Sequence, residues 1–525
     1  MSRRKFPKRR STSVLKGAHS NPIYVMPLLS PKKSDCSAYD PPQVPPPPPP
    51  PPTRPLHVLI VGAGIGGVTM GLMLERAGIS FQILEASPTI RLVGSALTVG
   101  PNLMRVMEQL GFLEELMRES KPVRQIRYYD QTNGNLSMSD YNGIADMMFC
   151  QIRYGNAIRV IPRTTLYNML YSGLPKDRVL MGKRVINTTE ISADGTTGLE
   201  DGSHVQCTCE DGSVFEGSIL VGADGSYSTV RKQMFHTLEK LGELNPDDQG
   251  ATLQPYQHCV VGVTDPLDPI EFEAINGHFS EFQVLRGRDN LHSIWLMPLT
   301  DYRISWSLFC QFPEDLRQEY EEHRARATNP QSHWKDVSKR ISDHAQSLLE
   351  SLCHVRNPLS NAGGDFGDLV AQTPADRISY ATMEQGVFTR WYHGRTVLLG
   401  DACHKSLPYG GQGANQAILD SVYLANKLFA LPNTNPSARE LGALFEEYQR
   451  DRTTSAYLAV LGSSAYDCLF GGQSWFSGLC RFLYFRMLPK DLFYMVSDAF
   501  YGVRPLLRFL PLVKEMSCMP ASKRH

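Results

Sequence analysis

One stretch limits the folds open to this chain more than any other: Leu56-His57-Val58-Leu59-Ile60-Val61 followed by Gly62-Ala63-Gly64-Ile65-Gly66-Gly67. The continuous apolar run reads as a strand covered on both faces. Apolar residues at helical spacing follow from Val68 to Ala77, with Gly78 as C-cap, and a second run, Phe81-Gln82-Ile83-Leu84, ends at Glu85. This is a strand–turn–helix–strand unit. Gly62, Gly64 and Gly67 let the backbone approach a pyrophosphate at a helix start, and Glu85 is placed to accept hydrogen bonds from ribose hydroxyls. The expected ligand is an adenine dinucleotide; FAD and NAD both remain open at this point.

A second stretch asks for a large cofactor too. Gly394-Arg395-Thr396-Val397-Leu398-Leu399-Gly400-Asp401 is an apolar strand ending in Gly-Asp; the loop Pro408-Tyr409-Gly410-Gly411-Gln412-Gly413 leads into a helical pattern from Ala414. A carboxylate at a strand end, opposite amides at a helix start, suits a polyol on one side and an electron-rich heterocycle on the other. A third strand, Ile219 to Gly222, runs into Asp224-Gly225-Ser226-Tyr227-Ser228-Thr229-Val230-Arg231, which alone is an ordinary Asp-Gly turn.

With 525 residues the chain exceeds one typical core, and its formal net charge of zero argues against nucleic acid as a partner. Its 11 cysteines are scattered with no CxxC pair, so reduced, buried thiols and no zinc site are expected. Residues 1–55 read as a disordered tail ending in a proline run from Pro45 to Pro52, either a stiff spacer or a ligand for an SH3- or WW-type groove. The tail has no apolar signal region and no acid before Asp35; a cytoplasmic protein is expected, with a mitochondrial transit peptide as the minority alternative.

Between these anchors, Gly94-Ser95-Ala96-Leu97 precedes Gly100-Pro101-Asn102, where Pro101 starts a helix and Asn102 is its expected capping side chain. Ile161-Pro162-Arg163 is another strand-to-helix entry. From Val179 to Phe215 the turns Asp194-Gly195, Asp201-Gly202 and Asp211-Gly212 predict an antiparallel meander. Residues 232–390 predict a mixed sheet with covering helices and a substrate pocket, with Trp295, Met297, Trp306 and Phe309 either lining it or belonging to the core. Residues 421–454 are helical in pattern. Residues 475–512 mix aromatic and basic positions, suiting amphipathic helices on the protein body or in peripheral contact with a membrane surface.

Together the three motifs, Gly62-x-Gly64-x-x-Gly67 with Glu85, Asp224-Gly225 through Arg231, and Gly400-Asp401 with its glycine loop, resemble the group A flavoprotein monooxygenases. The likeness is to the aromatic, salicylate-hydroxylase-like and fungal secondary-metabolite branch, over roughly residues 56–455. The resemblance implies an α/β fold: a Rossmann-like FAD-binding domain of the p-hydroxybenzoate-hydroxylase type, formed by 56–231 and 391–455. A mixed β-sheet substrate domain at 232–390 is interleaved with it, and helices at 456–525 follow. It implies FAD held by Gly62, Gly64, Gly67, Glu85, Ser95, Arg163, Asp224, Asp401, Gly413 and Ala414, with His404 and Pro408 beside the flavin ring and Cys403 standing for the family's alanine. Arg231 and Tyr256 are the implied catalytic residues. The implied reaction consumes NAD(P)H and O2 and hydroxylates an aromatic or polycyclic molecule through a C4a-hydroperoxyflavin. Olefin epoxidation is the alternative chemistry, and a non-catalytic dinucleotide-fold binding protein the more distant one.

Overall fold

The computed structural model describes residues 56–90, 94–132, 135–138, 149–192, 204–248, 253–287, 292–326, 333–432, 435–470, 475–487 and 490–514. The proline-rich tail and the Asp194-Gly195 and Asp201-Gly202 turns lie outside them.

A six-stranded sheet carries the three motifs. Its order is Tyr392–His393, Thr396–Leu398, Ile219–Gly222, His57–Val61, Ser80–Leu84, Val179–Leu180, parallel throughout except at the first pair. Parallel strands need helices on their faces, which is why these segments are uninterrupted apolar runs. Helix Ile65–Ala77 ends at Gly78 with φ 68°. It packs beside helix Gly413–Phe429, close enough for the Ser421 hydroxyl to donate to the Gly66 carbonyl at 3.2 Å. The expected meander is a three-stranded antiparallel sheet of Val185–Ile191, His204–Cys209 and Val214–Gly217.

The second, ten-stranded sheet is mixed. It runs His404–Lys405, Ser379–Val387, Gln254–Val263, Ile304–Gln311, His292–Pro298, Ser280–Arg286, Lys121–Thr132, Arg159–Pro162, Ala96–Val99, with Asn135–Met138 beside Lys121–Thr132. Segments on both sides of the first sheet's motifs therefore enter it. Alternation gives it two different faces. Trp306, Leu308, Leu296 and Ile294 pack under helices His333–Ser351 and Phe366–Ala371. Trp295, Phe309, Val261 and Val284 cluster on the other face with Leu407 and Tyr409.

Helix Ala438–Phe470 leads to the C-terminal helices Trp475–Phe482 and Lys490–Tyr501. Asn102 corrects the sequence reading: its side chain caps nothing, and instead its Nδ2 donates to the Phe500 carbonyl at 3.1 Å, docking the last helix.

Candidate active site

Four residues follow the carboxyl ends of adjacent parallel strands: Asp401, Asp224, Gly62 and Glu85, in sheet order. In open α/β sheets that edge is where ligands bind. The four strand ends are joined by backbone hydrogen bonds: Ala223 N–H donates to Val61 O at 2.9 Å, Leu399 N–H to Gly222 O at 3.0 Å, and Gly62 N–H to Leu84 O at 2.8 Å.

The glycines divide by what surrounds them. A Cβ on Gly62, whose φ is +102°, would lie 2.5 Å from Ala223 O, and one on Gly67 would lie 1.9 Å from Gly62 O. These two make the tight turn. Gly64 has nothing within 4 Å of such a Cβ. Its open side faces a cleft of about 260 Å³ bounded by Ala63, Gly64, Glu85, Ser87, Arg163 and Tyr167. Glu85 accepts the Ala63 amide at 2.7 Å and the Ser87 amide at 2.8 Å, one on each oxygen. Each carboxylate oxygen retains acceptor capacity for a hydroxyl.

Across the sheet edge, the Asp401 carboxylate makes no hydrogen bond or ion pair among the described residues. Helix Gly413–Phe429 starts without a side-chain cap, and the Gly413 and Ala414 amides have no hydrogen-bond partner among the described residues. The loop before it is fixed by Asn415. Its amide group donates to Gly411 O at 2.6 Å and Thr98 O at 2.8 Å, and its Oδ1 accepts the Gly100 amide at 2.9 Å.

A buried charge network, which sequence reasoning missed, lies beneath this loop. Asp420 accepts from Arg452 Nε at 2.7 Å and the Gly400 amide at 2.9 Å, and pairs with His404 Nε2 at 2.7 Å. Burial raises the pKa of Asp420, yet His404 and Arg452 outweigh it and hold the group down to about 2. His404 is thus committed to Asp420, and the Cys403 thiol, pushed up by burial, is donated to Gly400 O at 3.4 Å. The clue available in the sequence was Asp420 as a charge inside an apolar helical pattern; Arg452, in the charged run from Glu446, gave none.

The other expected residues are placed as follows. Asp224 caps helix Thr229–Leu241, accepting Ser228 Oγ at 2.6 Å and the amides of Thr229 and Val230 at 2.7 and 3.2 Å. Burial still raises its pKa against those bonds. Arg231 is buried beneath the loops: it donates to Ala402 O at 2.8 Å and Ser226 O at 2.7 Å, with its guanidinium 4.2 Å from the Phe388 ring centre. Ser95 meets the hydroxyls of Ser305 at 2.7 Å and Ser307 at 3.2 Å, while its carbonyl accepts the Arg163 amide at 3.1 Å. Tyr256 falls where strand pairing shifts between Pro255 and Gln257; its side chain lies outside the described residues. Pro408 is exposed.

The next residue, Tyr409, turns inward. Its ring centre lies 4.9 Å from that of Phe309 and 5.5 Å from that of Trp295, and its hydroxyl donates to Gln257 Oε1. Burial raises its phenol far above the ordinary range, keeping it a donor. Trp295 Nε1 is buried on this face without a hydrogen-bond partner among the described residues. Trp306 is turned away, donating to Thr373 Oγ1 at 2.8 Å under the covering helices.

Residues 55–344 and 360–461 match the FAD binding domain family. The chain belongs to the FAD-dependent monooxygenases. This monooxygenase is 30% identical over 412 residues to the FAD-dependent monooxygenase penM of Penicillium crustosum, with 76% of each chain covered. It is 28% identical over 402 residues to paxM of Penicillium paxilli, covering 75% and 74%. It shares a fold with Klebsiella pneumoniae HpxO, solved with FAD and uric acid: TM-score 0.56, 21% identity, 85% and 96% covered. Aklavinone-11 hydroxylase, solved with FAD and aklavinone, superposes with TM-score 0.53 at 20% identity over 79% and 69%. The monooxygenase therefore binds FAD, and its α/β fold with a second mixed sheet is that of the flavoprotein hydroxylases.

The residues present fit that cofactor. Gly64 leaves open space at a helix start for a phosphate, Glu85 borders the same cleft, and Asp401 is a carboxylate without a partner among the described residues at another strand end.

Proposed function

We propose that FAD lies along the carboxyl ends of the parallel strands and that the enzyme oxygenates an aromatic or polycyclic apolar molecule. Gly62, Gly64, Gly67, Glu85 and Arg163 would hold the adenine half, and Asp401 the ribityl chain. The segments 56–231 and 391–455 act as the cofactor part, apart from their strands Ala96–Val99, Lys121–Thr132, Asn135–Met138, Arg159–Pro162 and His404–Lys405, which join the second sheet; 232–390 acts as the substrate part, and 456–525 as its cover. The observation that carries this reading is the Asp401 carboxylate, without a partner among the described residues, on a turn packed against the helix whose first amides, Gly413 and Ala414, are uncapped among those residues. When bound, FAD takes a hydride from NAD(P)H and, once reduced, activates O2 so that one oxygen atom goes to substrate and the other to water.

The protein's own part is placement. Amides at a helix N-terminus stabilise negative charge, so Gly413 and Ala414 would favour the electron-rich edge of the ring. Asn415 and the Asp420–Arg452 pair fix those amides. Asp224 and Arg231 act as positioning residues, because capping and two carbonyl bonds occupy them. Substrate is proposed to bind against the edge of the packed cluster of Tyr409, Trp295 and Phe309, whose apolar side chains exclude water. Tyr256 is proposed as a further substrate contact only on the family resemblance of the chain.

A panel of phenols, polycyclic aromatics and polyenes, read by substrate-stimulated NAD(P)H consumption with product analysis, tests the reading. Hydroxylated aromatic products support it, epoxides of polyenes move the substrate class to olefins, and no stimulation by any class contradicts it.

We also propose peripheral membrane contact through helix Trp475–Phe482. Trp475 is 81% exposed and Phe476 52%, while the helix's one charge, Arg481, is buried. No helix among the described residues is long and apolar enough to cross a membrane. Co-sedimentation with lipid vesicles, lost in Trp475→Ala/Phe476→Ala, checks it; absence of co-sedimentation of the wild type overturns it.

A further inference from the structure

Two thiols meet where helix Ala438–Phe470 ends against helix Trp475–Phe482. The sulfurs of Cys468 and Cys480 are 3.9 Å apart, and both residues are half-buried, so a small oxidant reaches them. The joint is already held by Arg481, whose buried guanidinium donates to the Leu469 carbonyl at 2.9 Å. Cys480 and Tyr484 pack against the cluster of Trp295, Phe309, Tyr409 and Leu469 that forms the substrate-side face. Motion of this short helix therefore moves one wall of that face.

We propose that Cys468 and Cys480 are a peroxide-responsive pair whose disulfide locks helix Trp475–Phe482 onto helix Ala438–Phe470. A disulfide places its sulfurs about 2.0 Å apart, so closing from the observed separation takes side-chain rotation and a small approach of the helices. Hydrogen peroxide oxidises one thiol to a sulfenic acid and leaves as water. The second sulfur then displaces the sulfenic oxygen, which departs with the remaining proton as a second water. Overall two thiols and one peroxide give one disulfide and two waters; the sulfurs are oxidised and the peroxide reduced. Burial raises the Cys468 thiol pKa, so the reaction is slow at neutral pH and accelerates as pH rises. The enclosed thiols Cys150, Cys310 and Cys403 are fully buried, and they serve as internal controls. The effect of the lock on turnover rests on the proposed substrate site; the covalent chemistry does not.

The sequence makes the covalent test direct. No Lys or Arg lies between Arg452 and Arg481, so trypsin releases Thr453–Arg481 with both cysteines in one peptide. The FAD-loaded protein is treated with hydrogen peroxide, alkylated, digested and weighed. The expected peptide has lost two hydrogens and resists alkylation, and it takes two alkyl groups after reduction. Cys468→Ser and Cys480→Ser abolish that species. Two alkylatable thiols after treatment, or independent oxidation of each sulfur, would overturn the pair. In the oxidised wild type, bound FAD is retained while substrate-stimulated NAD(P)H consumption falls and returns on reduction; both serine variants are insensitive. Unchanged consumption in fully disulfide-bonded protein overturns the regulatory role, and a failed substrate screen leaves the mass result to stand by itself.

Discussion

Arg452 Nε lies 2.7 Å from Asp420 Oδ1, and both side chains are almost wholly shielded from solvent beneath the glycine loop. A buried pair is weak evidence of net stabilisation, but removing one partner strands the other charge at about 3–5 kcal/mol. Arg452→Met should therefore lower the melting temperature sharply and yield little folded protein. Asp420→Asn, which strands the buried Arg452 guanidinium, should cost a comparable amount. Small effects in thermal melts would contradict the coupling.

The same pair sets an acid limit. The folded pKa of Asp420 is depressed to about 2 from an unfolded value near 4. Its contribution is present above pH about 4 and is lost as pH falls toward about 2. Wild type should lose stability more steeply than Asp420→Asn through that window. Parallel curves in pH-dependent denaturant melts would show that Asp420 is not depressed.

Gly67→Ala and Gly64→Ala should separate folding from cofactor binding. The first brings a methyl against Gly62 O and should destabilise the turn itself; the second meets open space and should leave melting of the FAD-free protein near wild type while weakening FAD. Titration of FAD into each apoprotein, with a thermal melt, distinguishes them. Tight FAD binding by Gly64→Ala would place the phosphate elsewhere.

The two tryptophans make a matched pair. Trp306 fills the helix-covered side and Trp295 the Tyr409 side. Trp306→Ala should cost about 3–5 kcal/mol of stability. Trp295→Ala should raise KM for an aromatic substrate with a smaller loss of stability. The reverse pattern in melts and steady-state kinetics would move the substrate to the other face.

What the sequence disclosed followed the chain. Gly62 to Glu85 read as a strand–helix–strand unit because each element and its glycine turn are contiguous. Features built between distant segments stayed hidden. Asp420 and Arg452 are in separate helices, and nothing local to either helix pairs them. Trp306 and Trp295 lie on adjacent strands with the same local character, and only pairing with their neighbours assigns each a face. Asn102 satisfied a local capping pattern, yet its partner is Phe500, almost four hundred residues away. Arg231 sat in a recognisable motif, but its burial under Ala402 depends on how two loops cross.

The most direct test is the flavin spectrum of purified wild type beside Asp401→Ala. Asp401 makes no hydrogen bond among the described residues, so its removal should leave the fold's melting intact and act on the ligand alone. Wild type should be yellow with one FAD per chain, and Asp401→Ala should be folded and colourless, regaining flavin only at much higher FAD concentration. A wild type that cannot be loaded with FAD, or an Asp401→Ala variant that retains it fully, would contradict this account.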